Sequence, residues 1–304
     1  MRIVLVDSSR TVLRIVSDLV EQAHHEVRPF SDGLQALEYL RVDPEVRALI
    51  TSSEPNSMGG AQLCLEARKL AGQRRPLYII MMSSSDEHQN VVRALDNGAD
   101  DFMHKPPIAE ELSARLRAAD RVTSMQRELI QNATTDSLTG VFNRRAFFER
   151  AAEWSTQAAA GQIMTATMLD IDHFKKVNDG YGHHVGDIVL RAVAAKAAAV
   201  NGVVGRLGGE EFGLLTRGPL TIALQVAEQL RTTIANESVQ TAAGPLTVTC
   251  SFGVSEWERG DSVDGLLKRA DAALYKAKNA GRNRVVAAET SAPKSGMAVS
   301  ERCN

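Results

Sequence analysis

Two acidic groups in the second half of the chain have the residue types and spacing of a metal site. The segment TATMLDID ends in Asp170 and Asp172, and the period of two in a strand predicts both carboxylates on one side of a sheet edge. The segment VVGRLGGEEFGLL places Glu210 and Glu211 after two glycines, as in a hairpin turn. Asp170, the Ile171 carbonyl and Glu210 form a candidate ligand set for Mg²⁺ or Mn²⁺, alongside the oxygens of a bound phosphate. Solvated acids are the alternative.

The segment HFKKVNDGYGHHVGD, residues 173–187, is predicted to be a loop that leads into a helix, and it could read a guanine base. Guanine presents N–H donors that need an acceptor, and acceptors that need a donor. Asn178 offers an amide and Asp187 a carboxylate. An acid in the first turn of a helix also complements the helix dipole without a ligand, so Asp187 alone decides nothing. His183 and His184 are assigned only a supporting contact.

The segment YKAKNAGRNR places two cations at a helix end. Lys278 and Arg282 are four residues apart, and Gly281 is the expected C-cap. The helix dipole stabilises such cations without a ligand. The functional alternative is that they hold the β- and γ-phosphates of a nucleotide, with Lys175 supplying charge from the other side.

The composition argues against several classes of protein. Thirty-five basic and 37 acidic side chains give a net charge of −2, which provides no general attraction to nucleic acid or to an anionic membrane. No apolar run approaches a membrane span, and the start MRIVLVDSSR predicts a buried strand rather than a signal peptide. The scattered Cys64, Cys250 and Cys303 fit reduced thiols in a cytoplasm better than disulfides or a metal cluster.

The elements that must position these residues fall into two domains. Apolar strands at 3–6, 48–50 and 77–82 alternate with amphipathic helices, which predicts an α/β domain with a doubly wound parallel sheet over residues 1–120. The second domain, residues 136–288, is predicted to be α+β with antiparallel strands. Its segments are helix 140–160, strand 162–172, helix 184–200, hairpin 203–216, helix 219–236, strand 246–257, helix 262–280 and a strand near 284–288.

A single helix is predicted between the domains. Apolar positions from Ile108 to Leu129 recur about every 3.5 residues, which favours a linker helix, assigned to residues 121–135, with a seam for a partner helix. The alternative is an amphipathic helix that lies on its own domain. Residues 289–304 are predicted to be a disordered tail.

Five motifs in the second half, taken in order, resemble the GGDEF family of diguanylate cyclases. They are DSLTGVFNRRAF, LDIDHFKKVNDGYGHHVGD, RLGGEEF, CSFGVS and KRADAALYKAKNAGRNRV. The resemblance implies a palm-like domain that joins two GTP molecules into cyclic di-GMP with release of pyrophosphate. Because one domain holds one GTP, it also implies a homodimer whose two domains face each other about a two-fold axis.

The resemblance implies a role for each motif position. Asp170, Ile171 and Glu210 correspond to metal ligands. The catalytic group is assigned as Glu210, Glu211 and Lys175, of which Lys175 is also a phosphate contact. The substrate-binding group is assigned as Asn178, His183, Asp187, Gly208, Gly209, Lys278 and Arg282.

The chain departs from the family pattern just before the GGEEF segment. Many members carry an RxxD inhibitory product site there, whereas Ala199 and Gly202 stand at the Arg and Asp positions. Weak product feedback is therefore expected. Asp187 keeps the acid that reads guanine, so guanine specificity is favoured.

The first 120 residues resemble a response-regulator receiver domain, which has a flavodoxin-like fold. The resemblance covers VDSSRTVLR through NGADDFMHKP, and it places Ser52 at the phosphoacceptor aspartate and Ser8 at one of two metal-binding acids. A serine hydroxyl does not form an acyl phosphate, so the receiver is predicted to be degenerate and to serve dimerisation or docking of a protein partner. Glu54 is the alternative acid if the alignment slips. The remaining site positions are matched by Asp7, Ser83 and Lys105.

The sequence thus predicts a cytoplasmic, GTP-using diguanylate cyclase with a degenerate receiver. The alternative is a non-enzymatic signalling scaffold that binds GTP or cyclic di-GMP. The intact GGEEF segment, Asp170, Lys278 and Arg282 weigh against the scaffold.

Overall fold

The chain folds into two compact units, Met1–Gln131 and Asn132–Asn304. The computed structural model describes residues 1–54, 56–72, 74–84, 88–242 and 244–289, with the backbone alone at 88–91. No helix in these described ranges is long and apolar enough to cross a membrane.

The predicted tail, residues 289–304, lies outside the described residues except for Glu289. The carboxylate of Glu289 pairs with Lys276 Nζ at 2.6 Å. Cys303 also lies outside the described residues, whereas Cys64 and Cys250 are buried free thiols.

Unit 1 is a doubly wound parallel sheet. Its elements are β1 (Arg2–Val6), α1 (Arg10–Gln22), β2 (Glu26–Phe30), α2 (Gly33–Val42), β3 (Val46–Ser52), α3 (Gly60–Ala71), β4 (Tyr78–Ser83), α4 (His88–Asp96), β5 (Asp101–His104) and α5 (Ala109–Thr134), which continues into unit 2. The five strands lie in the order β2-β1-β3-β4-β5, and all neighbours are parallel. Ile3 and Leu5 belong to one apolar cluster and Val4 and Val6 to another, as in a sheet buried on both faces. The predicted fold class is confirmed here.

The predicted helix near residues 108–129 is confirmed as α5. Its first half buries Leu112, Leu116 and Ala119 in unit 1, so the helix lies on its own domain there. Further along, Met125 is 58 % and Leu129 66 % exposed. The first half of the expected seam is therefore buried in unit 1, and only its second half is exposed for a partner helix.

Polar contacts also fasten α5 to unit 1. Arg47 of β3 donates to the Asp120 carbonyl at 3.0 Å and to Thr123 Oγ1 at 2.7 Å. Arg127 pairs with Glu45 at 3.1 Å. These contacts make the helix part of the receiver unit as far as residue 127.

Unit 2 is an α+β domain around one mixed sheet. Its elements are α6 (Arg144–Ala159), β6 (Met164–Ile171), α7 (Phe174–Tyr181), α8 (His183–Ala198), β7 (Val203–Gly208), β8 (Glu211–Arg217), α9 (Leu220–Asn236), β9 (Val239–Thr241), β10 (Gly244–Leu246), β11 (Cys250–Glu256), α10 (Val263–Asn279) and β12 (Val285–Ala287). The main sheet has the order β12-β11-β6-β8-β7. Every residue of β6 is buried, so this strand holds the centre of the domain.

The structure corrects three features of the predicted domain. Residues 174–181 form helix α7 rather than a loop, because Phe174 and Val177 are buried against the core. The last strand, β12, runs parallel to β11, although the other pairings in this sheet are antiparallel. The strands β9 and β10 were not predicted, as was also the case for β2 and β5 of unit 1; β9 and β10 have three residues each and form their own hairpin.

Candidate active site

Asp170 lies near the end of the central strand β6, which is flanked by β8 and β11. In the sheet register it faces Glu211 of β8 on one side and Ser251 of β11 on the other. Its residue surface is 6 % exposed. The β6–β8 pairing thus brings the acidic hairpin beside the first acid of the DID segment, as predicted from the sequence.

The charge of Asp170 is balanced by a cation from α10. Lys278 Nζ lies 2.7 Å from Asp170 Oδ2. Burial raises the pKa of the Asp170 carboxyl to about 6, the charges of Glu210 and Glu211 add to the rise, and Lys278 opposes it. The four side chains therefore share one electrostatic site.

The acidic hairpin is held in shape by an arginine. Gly209 has a φ of +47°, a left-handed conformation that glycine adopts without strain. Arg206 Nε donates to the Gly209 carbonyl at 2.8 Å, so the side chain closes the turn that presents Glu210. Its Nη1 donates to Asp136 Oδ1 at 3.2 Å.

Asp136 is a supporting residue to which the sequence analysis assigned no role. Its Oδ1 accepts from Thr139 N at 3.0 Å and from Thr139 Oγ1 at 2.7 Å. Burial acts to raise the pKa of its carboxyl, but the hydrogen bonds from Thr139 and Arg206 together lower it below its ordinary value. The only feature of the sequence that pointed to Asp136 is its place in the DSLTG segment, which belongs to a family motif.

Asp172 has a different environment from Asp170. It lies in the turn after β6 and accepts from Thr249 Oγ1 and Ser251 Oγ, both at 2.7 Å. Its Oδ2 also accepts from Asn283 N at 2.9 Å. These donors engage the Asp172 carboxylate, whereas the Asp170 carboxylate is held by Lys278.

The predicted guanine readers lie on α7 and α8. Asn178 is half-buried on α7, and a Cβ at position 186 would overlap its Oδ1, so Gly186 gives this side chain its room. Asp187 is half-buried in the early part of α8, whereas His183 is exposed at the helix start. The contact between α7 and α8 thus brings Asn178 to the early part of α8.

The predicted phosphate contacts differ in how they are held. Lys278 is fixed by Asp170, as described above. Lys175 is exposed on α7. Arg282 is exposed in the turn after α10 and has a φ of +58°. Its side chain is therefore open to solvent, while its backbone is in a restricted conformation.

The donors around Asp170 suit a hard divalent cation. Within the described residues no three His, Cys, Asp or Glu side chains converge as a metal site. Asp170, Glu210 and the Ile171 carbonyl would supply oxygens, and nucleotide phosphates and water would complete the shell, which is the environment that Mg²⁺ accepts. The carboxylate and carbonyl set thus fits the metal, and a bound nucleotide would replace part of the water in its shell.

The two positions of the missing inhibitory motif lie between α8 and β7. Ala199 is the C-cap of α8. A Cβ at Gly202 would overlap the backbone carbonyl of Leu215, so the neighbouring strand leaves no room for an aspartate without movement.

Four of the five residues assigned to the receiver site line a cavity of about 400 Å³ in unit 1. Lys105 Nζ lies 2.5 Å from Asp7 Oδ2, and Ser8 Oγ donates to the Glu54 carbonyl at 3.2 Å. Ser52 is fully buried at the end of β3, and Glu54 is exposed. The lining residues include Asp7, Ser8, Ser53, Glu54, Ser83 and Lys105.

Comparison with known families agrees with this geometry. The profile described as diguanylate cyclase, GGDEF domain, matches residues 133–284, half of the chain. The chain belongs to the GGDEF family. The profile of the response regulator receiver domain matches residues 3–117. Both predicted resemblances are confirmed, and cyclases of this family generally use a divalent metal.

Two curated relatives share the sequence over long stretches. The diguanylate cyclase VdcA of Vibrio cholerae is 40% identical over 211 residues, which covers 67% of this chain and 61% of VdcA. The response regulator PleD of Caulobacter vibrioides is 32% identical over 301 residues, which covers 94% of this chain and 65% of PleD. The chain thus spans less than two thirds of the length of either relative.

Two crystal structures resemble part of the chain. The coiled coil and GGDEF domain of DgcB from Caulobacter crescentus, solved with c-di-GMP, has a TM-score of 0.54 and 32% identity, covering 58% of this chain and 97% of that one. The diguanylate cyclase SiaD of Pseudomonas aeruginosa, solved with its activator SiaC, has a TM-score of 0.51 and 37% identity, covering 59% and 72%.

Proposed function

We propose that the chain is a diguanylate cyclase that joins two GTP molecules into cyclic di-GMP and releases two pyrophosphates. The observation that carries the proposal is the convergence of Asp170, the Glu210–Glu211 hairpin and Lys278 at one end of the central strand. The family and the relatives named as cyclases support it. Each GTP would attack the α-phosphorus of the other through its 3′ oxygen.

Three tasks in this reaction would fall to the residues around Asp170: metal binding, proton acceptance and phosphate contact. Asp170, the Ile171 carbonyl and Glu210 would hold Mg²⁺ or Mn²⁺, which lowers the pKa of the attacking hydroxyl and neutralises charge on the leaving pyrophosphate. Glu211, beside Asp170 in the register, is the proposed acceptor of the hydroxyl proton. Lys278 would exchange its contact with Asp170 for the phosphates.

The other site residues would select and orient GTP. Asn178 and Asp187 would bind the guanine edge, with a supporting contact from His183. Gly208 and Gly209 would let the hairpin backbone approach the nucleotide, and both are exposed. Lys175 and Arg282 would contact phosphates.

The reaction requires two copies of the chain. One domain would hold one GTP, so both nucleotides come together only when two domains face each other across a two-fold axis. The receiver unit would assist this homodimer or dock a protein partner.

The test is to incubate the purified chain with GTP and Mg²⁺ and to measure the dinucleotide product and the pyrophosphate released. We expect a product with the mass of cyclic di-GMP and two pyrophosphates released for each product molecule. GTP binding without pyrophosphate release would favour the scaffold, and ATP turnover at an equal rate would refute the assignment of the guanine site.

A further inference from the structure

The turn that carries Arg282 has a backbone that is unfavourable unless other contacts hold it. Gly281, Arg282 and Asn283 have consecutive positive φ angles of 107°, 58° and 44°. Glycine and, to a lesser degree, asparagine tolerate this region, but arginine does not prefer it. Arg282 N donates to the Ala277 carbonyl at 3.1 Å, and the Arg282 carbonyl accepts from Arg284 Nε at 3.0 Å, so local contacts hold both ends of this residue.

One further anchor comes from the buried acid at the end of β6. Asp172, 5 % exposed, accepts from Asn283 N at 2.9 Å. The same carboxylate accepts from the Thr249 and Ser251 hydroxyls, which tie it to β11 and the segment before it. The turn is thereby joined to the strand that carries Asp170 two residues earlier.

A second anchor comes from α9. Arg231 Nη1 donates to Asn283 Oδ1 at 2.7 Å. The Arg231 guanidinium is itself held by both carboxylate oxygens of Glu228, at 2.6 and 2.9 Å, and its side chain is 18 % exposed. Asn283 is therefore held at two points. Its backbone N–H donates to Asp172, and its side-chain oxygen accepts from Arg231 of α9.

We infer that Asp172 and Arg231 act through Asn283 as a clamp that fixes Arg282 for contact with the triphosphate of GTP. The inference rests on the proposed function, in which Arg282 binds phosphate. The clamp residues touch no reacting atom and are positioning residues. A long, exposed arginine loses conformational entropy when it binds, and a backbone held in advance reduces that loss.

The test uses one variant for each anchor. Asp172→Asn weakens the bond to Asn283 N, whereas Arg231→Gln and Asn283→Gly remove the side-chain anchor. For each variant we expect the KM for GTP to rise about tenfold while kcat stays within about twofold. Arg145→Gln, at a side chain that is 76% exposed, is the control and should change neither value.

A double-mutant cycle with Arg282→Ala separates positioning from general damage. If the clamp acts through Arg282, adding Arg231→Gln to Arg282→Ala has no further effect on KM. The variants should also lose affinity for GTP but not for GMP, which lacks the β- and γ-phosphates. Additive effects, an equal loss for GMP or an unchanged KM would overturn the clamp.

Direct GTP binding separates this inference from the proposed function. Binding is measured by calorimetry on the folded full chain, with folding checked by circular dichroism. If the wild type bound GTP but did not turn it over, the cyclase proposal would be overturned. The clamp would still be tested by comparing the affinity of the variants for GTP and for GMP. Absence of wild-type binding would overturn both. If Asp172→Asn fails to fold, Arg231→Gln and Asn283→Gly still decide.

Discussion

At the scale of single residues, Asp170 is the candidate metal ligand whose pKa changes most clearly when the chain folds. Burial raises its pKa to about 6, above its value in the unfolded chain. Between its ordinary pKa of 3.8 and about pH 6, the folded chain holds a proton on Asp170 that the unfolded chain has largely released. This carboxyl therefore contributes stability at low pH, and the contribution is lost as the pH rises through about 6.

The same titration predicts that metal binding depends on pH. Only the ionised carboxylate ligates a metal, so the gain in melting temperature from Mn²⁺ should be larger at about pH 7.5 than at about pH 5. Thermal unfolding with Mn²⁺ and no nucleotide measures it, because no phosphate titrates. Glu237→Gln, at a 62% exposed side chain, is the control. An equal gain at both pH values would contradict the assignment of Asp170.

Asp187 is predicted to set the choice of base. Replacing Asp187 with Ala should raise the KM for GTP by about tenfold and reduce discrimination against ATP, because guanine donors would be left without an acceptor. Competition between GTP and ATP in one reaction measures the selectivity. Unchanged selectivity would place the base pocket elsewhere.

At the scale of elements, the β7–β8 hairpin depends on a brace from outside the hairpin. Asp136 holds Arg206, which in turn holds the Gly209 carbonyl. Asp136→Asn removes the charge that orients Arg206, so we expect kcat to fall about tenfold with the fold retained. Asp271→Asn, at an exposed position on α10, is the control. Full activity in the Asp136 variant would show that the hairpin needs no brace.

The sequence predicted the acidic hairpin and most of the strands, because their apolar runs and glycine pair are local signals, but it missed the short strands β2, β5, β9 and β10. It missed the brace and the clamp because both are contacts between distant segments. Asp172 shows the limit most clearly. Its spacing from Asp170 predicts a shared face, and its bond to Ser251, the register partner of Asp170, agrees with this. The spacing does not show that the Thr249 and Ser251 hydroxyls engage the carboxylate.

At the scale of the whole molecule, the receiver unit has the fold of its family, and its phosphorylation site is predicted to be degenerate. Asp7 is engaged by Lys105 and by Ser9 N, at 2.5 and 2.8 Å, and Ser52 is the residue predicted to stand at the phosphoacceptor position. The linker helix α5 is fastened to this unit through Arg47. Regulation would then depend on protein concentration or a bound partner rather than on phosphate.

We therefore predict that beryllium fluoride and small phosphodonors change neither oligomeric state nor activity. The covalent and the mimetic route both need an acid at position 52 and a second metal ligand at position 8. Light scattering with and without beryllium fluoride measures the oligomeric state. A shift from monomer to dimer that Glu54→Gln abolishes would show that Glu54 serves as the acid.

The most direct test of the cyclase account compares Glu210→Gln with Glu237→Gln. Both changes remove one carboxylate charge at similar side-chain volume, but only Glu210 lies beside Asp170. Formation of cyclic di-GMP from GTP and Mg²⁺ is measured by mass for the wild type and both variants, with circular dichroism as the check on folding. We expect product from the wild type and Glu237→Gln and none from a folded Glu210→Gln. Undiminished product from folded Glu210→Gln would contradict the account.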